Sequence, residues 1–127
     1  MHVPITALFA AVNGVINVVL AANVSRVRGK VGVLLGVGDS KELLLASRRH
    51  RNNAEYVPLA LLMILLCEIG GGSPSVLWGL GGALTLGRVL HPFGLSDKPT
   101  SPRVIGAVLA WLTIVVGGVY AFLVNWH

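Results

Sequence analysis

Charged, aromatic and sulfur-bearing side chains are scarce in this chain of 127 residues. Its single cysteine, Cys67, cannot form an internal disulfide, and its apolar neighbours favour a buried, unreactive thiol. The chain has four histidines, but no pair of them combines zinc-ligand spacing with a supporting cysteine or carboxylate. We therefore expect neither an internal disulfide nor a metal site.

Aromatic residues make up 6% of the chain, and none lies between residues 25 and 49, where most of the cations are found. Sites for nucleic acid usually place aromatic platforms beside basic groups. The formal net charge of +5 therefore needs another explanation, and we expect no nucleic-acid partner.

Apolar residues, by contrast, are abundant: 54% of the chain is hydrophobic, only 12% is charged, and the mean hydropathy is +0.78. These values lie outside the usual range for a soluble domain of this size. We predict one all-α domain over residues 1–127, an integral membrane four-helix bundle with spans at about residues 4–25, 50–69, 75–93 and 103–126. The first and last segments exceed the ~20 residues that a membrane helix needs, whereas the middle two reach that length only with their charged ends included.

The placement of the ten Lys and Arg residues predicts the topology. All of them lie between spans one and two or around the connection between spans three and four, so all can face one compartment. By the positive-inside rule that compartment is the cytoplasm, and both termini lie on the opposite side. The amino terminus lacks a basic leader, so we expect the first span to be retained rather than cleaved.

Polar and proline residues predict where the helices begin, bend and end. Asp39 or Ser40 would cap a helix that leads into span two. Pro58 removes one hydrogen bond inside that span and predicts a kink. Pro92 biases His91 away from helical geometry, so we expect span three to end or bend at His91.

Two further patterns favour packing between helices. Gly79, Ala83 and Gly87 form a ridge of small residues along span three, which permits close helix contact. Asn13 and Asn17 share one face of span one, where amides usually hydrogen-bond across a helix interface and ligand binding is the less favoured alternative. Four short helices bury little polar surface alone, so we expect self-association.

A polar stripe at the start of span two is the clearest functional signal. Arg48, Arg51, Asn52 and Glu55 fall within an arc of about 100° on a helix. They predict a site for an anionic, peptide-like molecule, with arginines for its carboxylates, Glu55 for its ammonium and Asn52 for its amides. Two plainer interpretations stay open: an ion pair between Arg51 and Glu55, and arginines that extend toward lipid phosphates.

Other basic groups lie at the same predicted membrane depth as the stripe. They come from the three other spans and are Arg26, Arg88, His91 and Arg103. Arg88 and His91 are three residues apart on one helix, so we expect their side chains to point the same way.

Two motifs carry a family resemblance. Residues 48–58 read RRHRNNAEYVP, and residues 87–95 read GRVLHPFGL. In a four-span chain of this length they resemble the helix-two and helix-three motifs of the MAPEG family, the membrane-associated proteins in eicosanoid and glutathione metabolism, and in particular its small bacterial members. The resemblance covers nearly the whole chain. It implies a homotrimer in the bacterial inner membrane, with glutathione bound as co-substrate between subunits near the cytoplasmic face.

The resemblance also implies which residues bind glutathione. They are Arg26, Arg48, Arg51, Asn52, Glu55, Arg88 and His91. Within this set Arg51, Asn52 and Glu55 would hold the glutathione backbone, whereas Arg48 and Arg88 would brace or line the pocket.

Arg103 is the catalytic residue that the resemblance implies, because a cation near the sulfur stabilises the nucleophilic thiolate. Many eukaryotic members carry a tyrosine four residues after the helix-three histidine, whereas this chain has Leu95, so thiolate stabilisation would fall mainly on Arg103. The implied activity is transfer of glutathione to apolar electrophiles that arrive from the lipid, with reduction of lipid hydroperoxides as a second reaction.

Two other functions stay open. With Leu95 in place of the tyrosine, a non-catalytic thiol- or lipid-binding membrane protein is the first alternative. A small transporter is the second, but it would need polar residues across the bilayer. The other carboxylate of span two, Glu68, lies roughly 20 Å from Glu55 along the helix and on a different face.

Overall fold

The computed structural model describes residues 2–94 and 100–126, and these residues form helices joined by short connections. The helices are α1 (Pro4–Val31), α2 (Lys41–Ile69), α3 (Pro74–Gly94) and α4 (Ser101–Asn125). The all-helical prediction is confirmed for this part of the chain. By length and composition α1, α2 and α4 can each cross a membrane, whereas the shorter α3 does not meet the same criteria. Glycines, Arg88 and His91 interrupt the apolar sequence of α3.

The first connection begins and ends with well-defined caps. Gly32 adopts the left-handed conformation with φ of 70°, and its amide donates to the carbonyl of Arg28 at 3.0 Å, so α1 runs past its predicted end to Val31. The Ser40 hydroxyl accepts from the amide of Leu43 at 3.2 Å, which confirms the predicted cap of α2. With 29 residues, α2 is about 44 Å long and therefore exceeds the thickness of the hydrocarbon core.

Of the two predictions for the third helix at His91, an end or a bend, the end is wrong. α3 continues through Pro92 to Gly94, because a proline removes only one donor from the helical ladder and the last turn packs on the start of α4. The Thr100 hydroxyl donates to the carbonyl of Gly94 at 2.6 Å, and a side chain at Gly94 would collide with the backbone of Arg103.

The packed centre of the chain lies among α2, α3 and α4. Its fully buried side chains include Ala60, Ile64, Leu77, Leu84 and Ala110. The small-residue ridge of α3 contributes only in part, because the position of a Cβ at Gly79 has no neighbour within 4 Å.

Gly87, in contrast, is a close-contact point of the ridge. A Cβ at Gly87 would lie 2.9 Å from the carbonyl oxygen of Gly106, and a Cβ at Gly106 would lie 2.6 Å from the carbonyl oxygen of Gly87. Glycine at both positions therefore lets the backbones of α3 and α4 approach each other.

The asparagines of α1 join it to the rest of the bundle, as predicted. The Asn13 amide donates to the hydroxyl of Thr85 on α3 at 2.9 Å, and the Asn17 side-chain oxygen accepts from Asn53 on α2 at 3.1 Å. Both bonds join residues that are far apart in sequence, so the two amides help to fix the position of α1.

Glu68 caps the amino-terminal end of α1 from the far end of α2. Its carboxylate oxygens accept from the amides of Ile5 at 3.0 Å and Thr6 at 2.7 Å, which lie in the first turn of α1 and have no acceptor within the helix. The negative charge also complements the positive end of the helix dipole.

We predict that Glu68→Ala lowers the free energy of unfolding by about 1 kcal/mol, the usual value of a helix cap. Thermal unfolding of the detergent-purified protein would measure the change. Glu42→Ala is the matched control, because it removes a carboxylate that pairs with Lys30 at the exposed opposite end of α2. Equal stability of the two variants would contradict the capping role.

Candidate functional site

A polar cavity of about 290 Å³ lies where α2, α3 and α4 meet, at the end of the bundle that carries the connection between α3 and α4. Its lining residues are Arg48, Arg51, Asn52, Glu55, His91 and Arg103. α2 contributes four of these side chains, α3 contributes His91 and α4 contributes Arg103. The cavity thus brings together six of the eight residues that the sequence predicts for the site.

The helical period of α2 places its four cavity residues on one face. They recur at intervals of three or four residues, which puts them one above another along the helix. Arg48, Arg51 and Glu55 are exposed and Asn52 is half-buried, so the cavity opens to the outside of the protomer. In the part of the chain that the structure describes, Arg51 and Glu55 do not form an ion pair with each other. The guanidinium and the carboxylate are therefore both placed to contact a ligand.

Arg88 lies behind the cavity rather than in its wall. Only 1% of its surface is exposed, and its two terminal nitrogens donate to the side-chain oxygen of Asn52 and to the carbonyl of Gly106, each at 2.8 Å. Because the Asn52 oxygen is occupied, the amide nitrogen of Asn52 is the part that can donate to a molecule in the cavity. Of the two roles that the sequence predicts for Arg88, the structure favours the brace.

Gly106 is a site residue that sequence reasoning did not identify. Its carbonyl is the second acceptor of Arg88, and a Cβ at this position would lie 2.8 Å from the Cβ of His91. The sequence could have predicted its place beside the site, because Gly106 follows Arg103 by three residues and so lies on the same face of α4.

Arg26 is the one predicted residue that the fold keeps away from the cavity. It lies on α1, is exposed, and donates to the side-chain oxygen of Asn23 at 3.0 Å. Since α1 contributes none of the lining residues, Arg26 does not reach the cavity of its own protomer.

An apolar cleft of about 280 Å³ adjoins the polar cavity along α4. The two share Asn52, His91 and Arg103, and the rest of the cleft is formed by Val104, Ala107, Val108 and Trp111. Val104, Val108 and Trp111 are 52%, 40% and 51% exposed, so the cleft opens on the outer face of the helix. Arg103 therefore lies at the junction of a charged region and an apolar one.

The described lining residues of the cavity and the cleft include no hydroxyl or thiol. Tyr56 packs against the apolar core, and the Tyr120 hydroxyl accepts from the amide of Ser73 at 2.8 Å, in the turn between α2 and α3 at the other end of the bundle. Leu95, the departure from the family pattern noted in the sequence, lies outside the described residues. In the part of the chain described, no three His, Cys, Asp or Glu side chains are grouped to hold a metal ion.

Comparison with known proteins agrees with the arrangement of helices and motifs. The MAPEG family model matches residues 6–123. Two curated relatives, both called inner membrane protein YecN, come from Escherichia coli strains K12 and O6:H1, and each is 28% identical over 112 residues, 88% of this chain and 86% of the relative. No solved structure matches significantly. Because the family match spans both motifs and reaches into all four helices, the chain belongs to the MAPEG family.

Proposed function

We propose that the protein is a membrane-bound glutathione transferase that joins the glutathione thiolate to apolar electrophiles. The observation that carries this proposal is the continuity of the charged cavity with the apolar cleft, with Arg103 at their junction. The charged cavity matches a hydrophilic, charged tripeptide, and the apolar cleft matches an apolar second substrate.

The charges of the cavity match those of glutathione group by group. Glutathione has two carboxylates, one ammonium and two peptide bonds. Arg48 and Arg51 would bind the carboxylates, Glu55 would bind the ammonium, and the Asn52 amide nitrogen would donate to a peptide carbonyl.

In this proposal Arg103 is the catalytic residue. Its positive charge would favour the thiolate over the thiol and hold the sulfur at the mouth of the apolar cleft. The thiolate would then form a bond to an electrophilic carbon and displace its leaving group. The same thiolate would attack a lipid hydroperoxide, breaking its O–O bond to release the lipid alcohol and leave the sulfenic acid of glutathione. A second glutathione would convert that acid to the disulfide and release water.

The proposal includes an assembly and an orientation. Arg26 would reach the site only from another subunit, which supports the homotrimer that the family resemblance implies. The basic ends of the helices favour a cytoplasmic site with both termini on the opposite side. The name of the two relatives and the three long apolar helices support a place in the bacterial inner membrane.

A non-catalytic thiol- or lipid-binding protein is the second candidate. The specific observation in its favour is the lack of a hydroxyl among the described lining residues, which leaves thiolate stabilisation to Arg103. A transporter is disfavoured, because Glu68 caps α1 and apolar residues separate it from Glu55.

The first test is a titration of the detergent-purified protein with glutathione, followed by ultraviolet difference absorbance of the thiolate near neutral pH. We expect a saturable thiolate signal. Binding measured by calorimetry without that signal would favour the second candidate in its thiol-binding form, and no binding at all would contradict the transferase.

Glu55→Gln tests the ammonium contact. We expect about tenfold weaker glutathione binding by calorimetry, in the range of one charge-assisted hydrogen bond. An analogue of glutathione without the amino group should bind the variant and the parent protein equally. Glu42→Gln is the control, since that carboxylate lies on the same helix but outside the cavity. Unchanged glutathione affinity in Glu55→Gln would exclude the assignment.

Arg103→Leu tests the thiolate contact. We expect loss of the thiolate absorbance of bound glutathione while S-methylglutathione, which has no ionisable thiol, binds with nearly unchanged affinity. Arg103→Lys should restore part of the absorbance, because it keeps the positive charge. A full signal in Arg103→Leu would move the role to another residue.

A further inference from the structure

A second cavity, between α1 and α2, lies apart from the proposed glutathione site. It has a volume of about 280 Å³. Its lining residues are Ala10, Asn13, Gly14, Asn17, Asn53, Ala54, Val57, Pro58 and Leu61. Asn52 and Asn53 are adjacent in α2 but face different cavities, because successive helical residues are about 100° apart. We call this space the amide cavity.

Two buried side-chain oxygens of residues that line the amide cavity have no hydrogen-bond partner among the described residues. They are Oδ1 of Asn13, a residue that is 0% exposed, and Oδ1 of Asn53, a residue that is 3% exposed. The Asn13 nitrogen donates to the Phe9 carbonyl and the Thr85 hydroxyl, and the Asn53 nitrogen donates to Asn17. The unsatisfied atoms are thus acceptors, and buried acceptors in native proteins normally have a donor.

A backbone acceptor lies in the same wall. Pro58 has no amide hydrogen, so the carbonyl of Ala54 lacks the donor that an α-helix normally supplies four residues later. Both residues line the amide cavity. The cavity therefore combines two side-chain oxygens that lack a donor among the described residues with a backbone carbonyl that has lost its usual helical donor.

The remaining wall is apolar. It is formed by Ala10, Gly14, Val57 and Leu61, on helices that can cross a membrane. The volume equals that of about nine liquid water molecules, yet each buried water needs about two to four polar partners. The acceptors are too few to hold so many waters, so most of the space suits hydrocarbon.

We propose that the amide cavity binds a membrane-soluble amphiphile with an uncharged hydroxyl head and an apolar body, of the chemical class of a long-chain alcohol. The hydroxyl donates to the unsatisfied amide oxygens, and the chain lies against the apolar wall. Among the described residues no Lys, Arg, Asp or Glu lines the cavity, so these residues offer no counter-charge to a fatty acid or an ammonium. This site is independent of the proposed transferase activity.

Photolabelling of the full chain in detergent micelles tests the proposal. The probe is a long-chain alcohol with a diazirine on its chain, and mass spectrometry identifies the labelled residues. We expect adducts in residues 10–17 and 53–61. Octanol should suppress them about three to ten times better than octyl methyl ether, which lacks the donor, in line with the worth of one hydrogen bond.

Gly14→Leu fills the cavity without removing any of its polar groups. A Cβ at Gly14 meets nothing within 4 Å, so a larger side chain enters open space, and we expect the labelling of both segments to disappear. Gly29→Leu is the matched control, because Gly29 lies on the same helix, is equally open and lies outside the cavity. Its labelling should equal that of the parent protein.

Asn53→Leu removes one acceptor, and octanol should then lose most of its advantage over the ether. If that variant does not fold, the comparison of Gly14→Leu with Gly29→Leu decides alone. Equal competition by octanol and the ether in the parent protein would overturn the proposal, as would unchanged labelling in Gly14→Leu. Absence of adducts in both segments would also overturn it, since water or a second copy of the chain would then fill the cavity.

Discussion

The buried guanidinium of Arg88 is the interaction on which the candidate site depends. It joins three helices, because Arg88 belongs to α3 and its two 2.8 Å hydrogen bonds reach Asn52 on α2 and Gly106 on α4. A cation enclosed in a bundle of apolar helices is stable only when strong acceptors replace its water. Moving either neighbouring helix would remove one of these acceptors. The register of α2, α3 and α4 is thereby fixed at the depth of the cavity.

That register explains how the polar and apolar parts of the site come together. Gly87 and Gly106 allow α3 and α4 to approach closely, which places His91 and Arg103 beside the polar face of α2. The same approach leaves the outer face of α4, with Trp111, next to the charged region. A hydrophilic thiol and an apolar electrophile would thus meet without either crossing the other's environment, and this is the physical basis of the proposed transferase.

Two adjacent asparagines of α2 line two different cavities. Asn52 accepts from Arg88 through its oxygen and lines the charged cavity. The Asn53 nitrogen donates to Asn17, and the Asn53 oxygen has no partner among the described residues. The first space is lined by charged groups, whereas the second is lined by asparagine amides in an apolar wall. The two differ in the ligand chemistry they can accept, although they are separated by the thickness of one helix.

The sequence by itself determined the features that depend on local geometry. Helical periodicity puts Arg48, Arg51, Asn52 and Glu55 on one face, and the Ser40 side chain reaches an amide three residues away. Three of the four predicted spans form helices that are long and apolar enough to cross a membrane. Tertiary structure decided which of the polar groups face inward. Arg88 finds its acceptor 36 residues away in Asn52, and Glu68 reaches across 62 residues to cap α1. Arg26 stays outside the cavity of its protomer, and packing on α4 carries α3 past Pro92. These outcomes depend on contacts between distant segments, and no local pattern specifies which segments will meet.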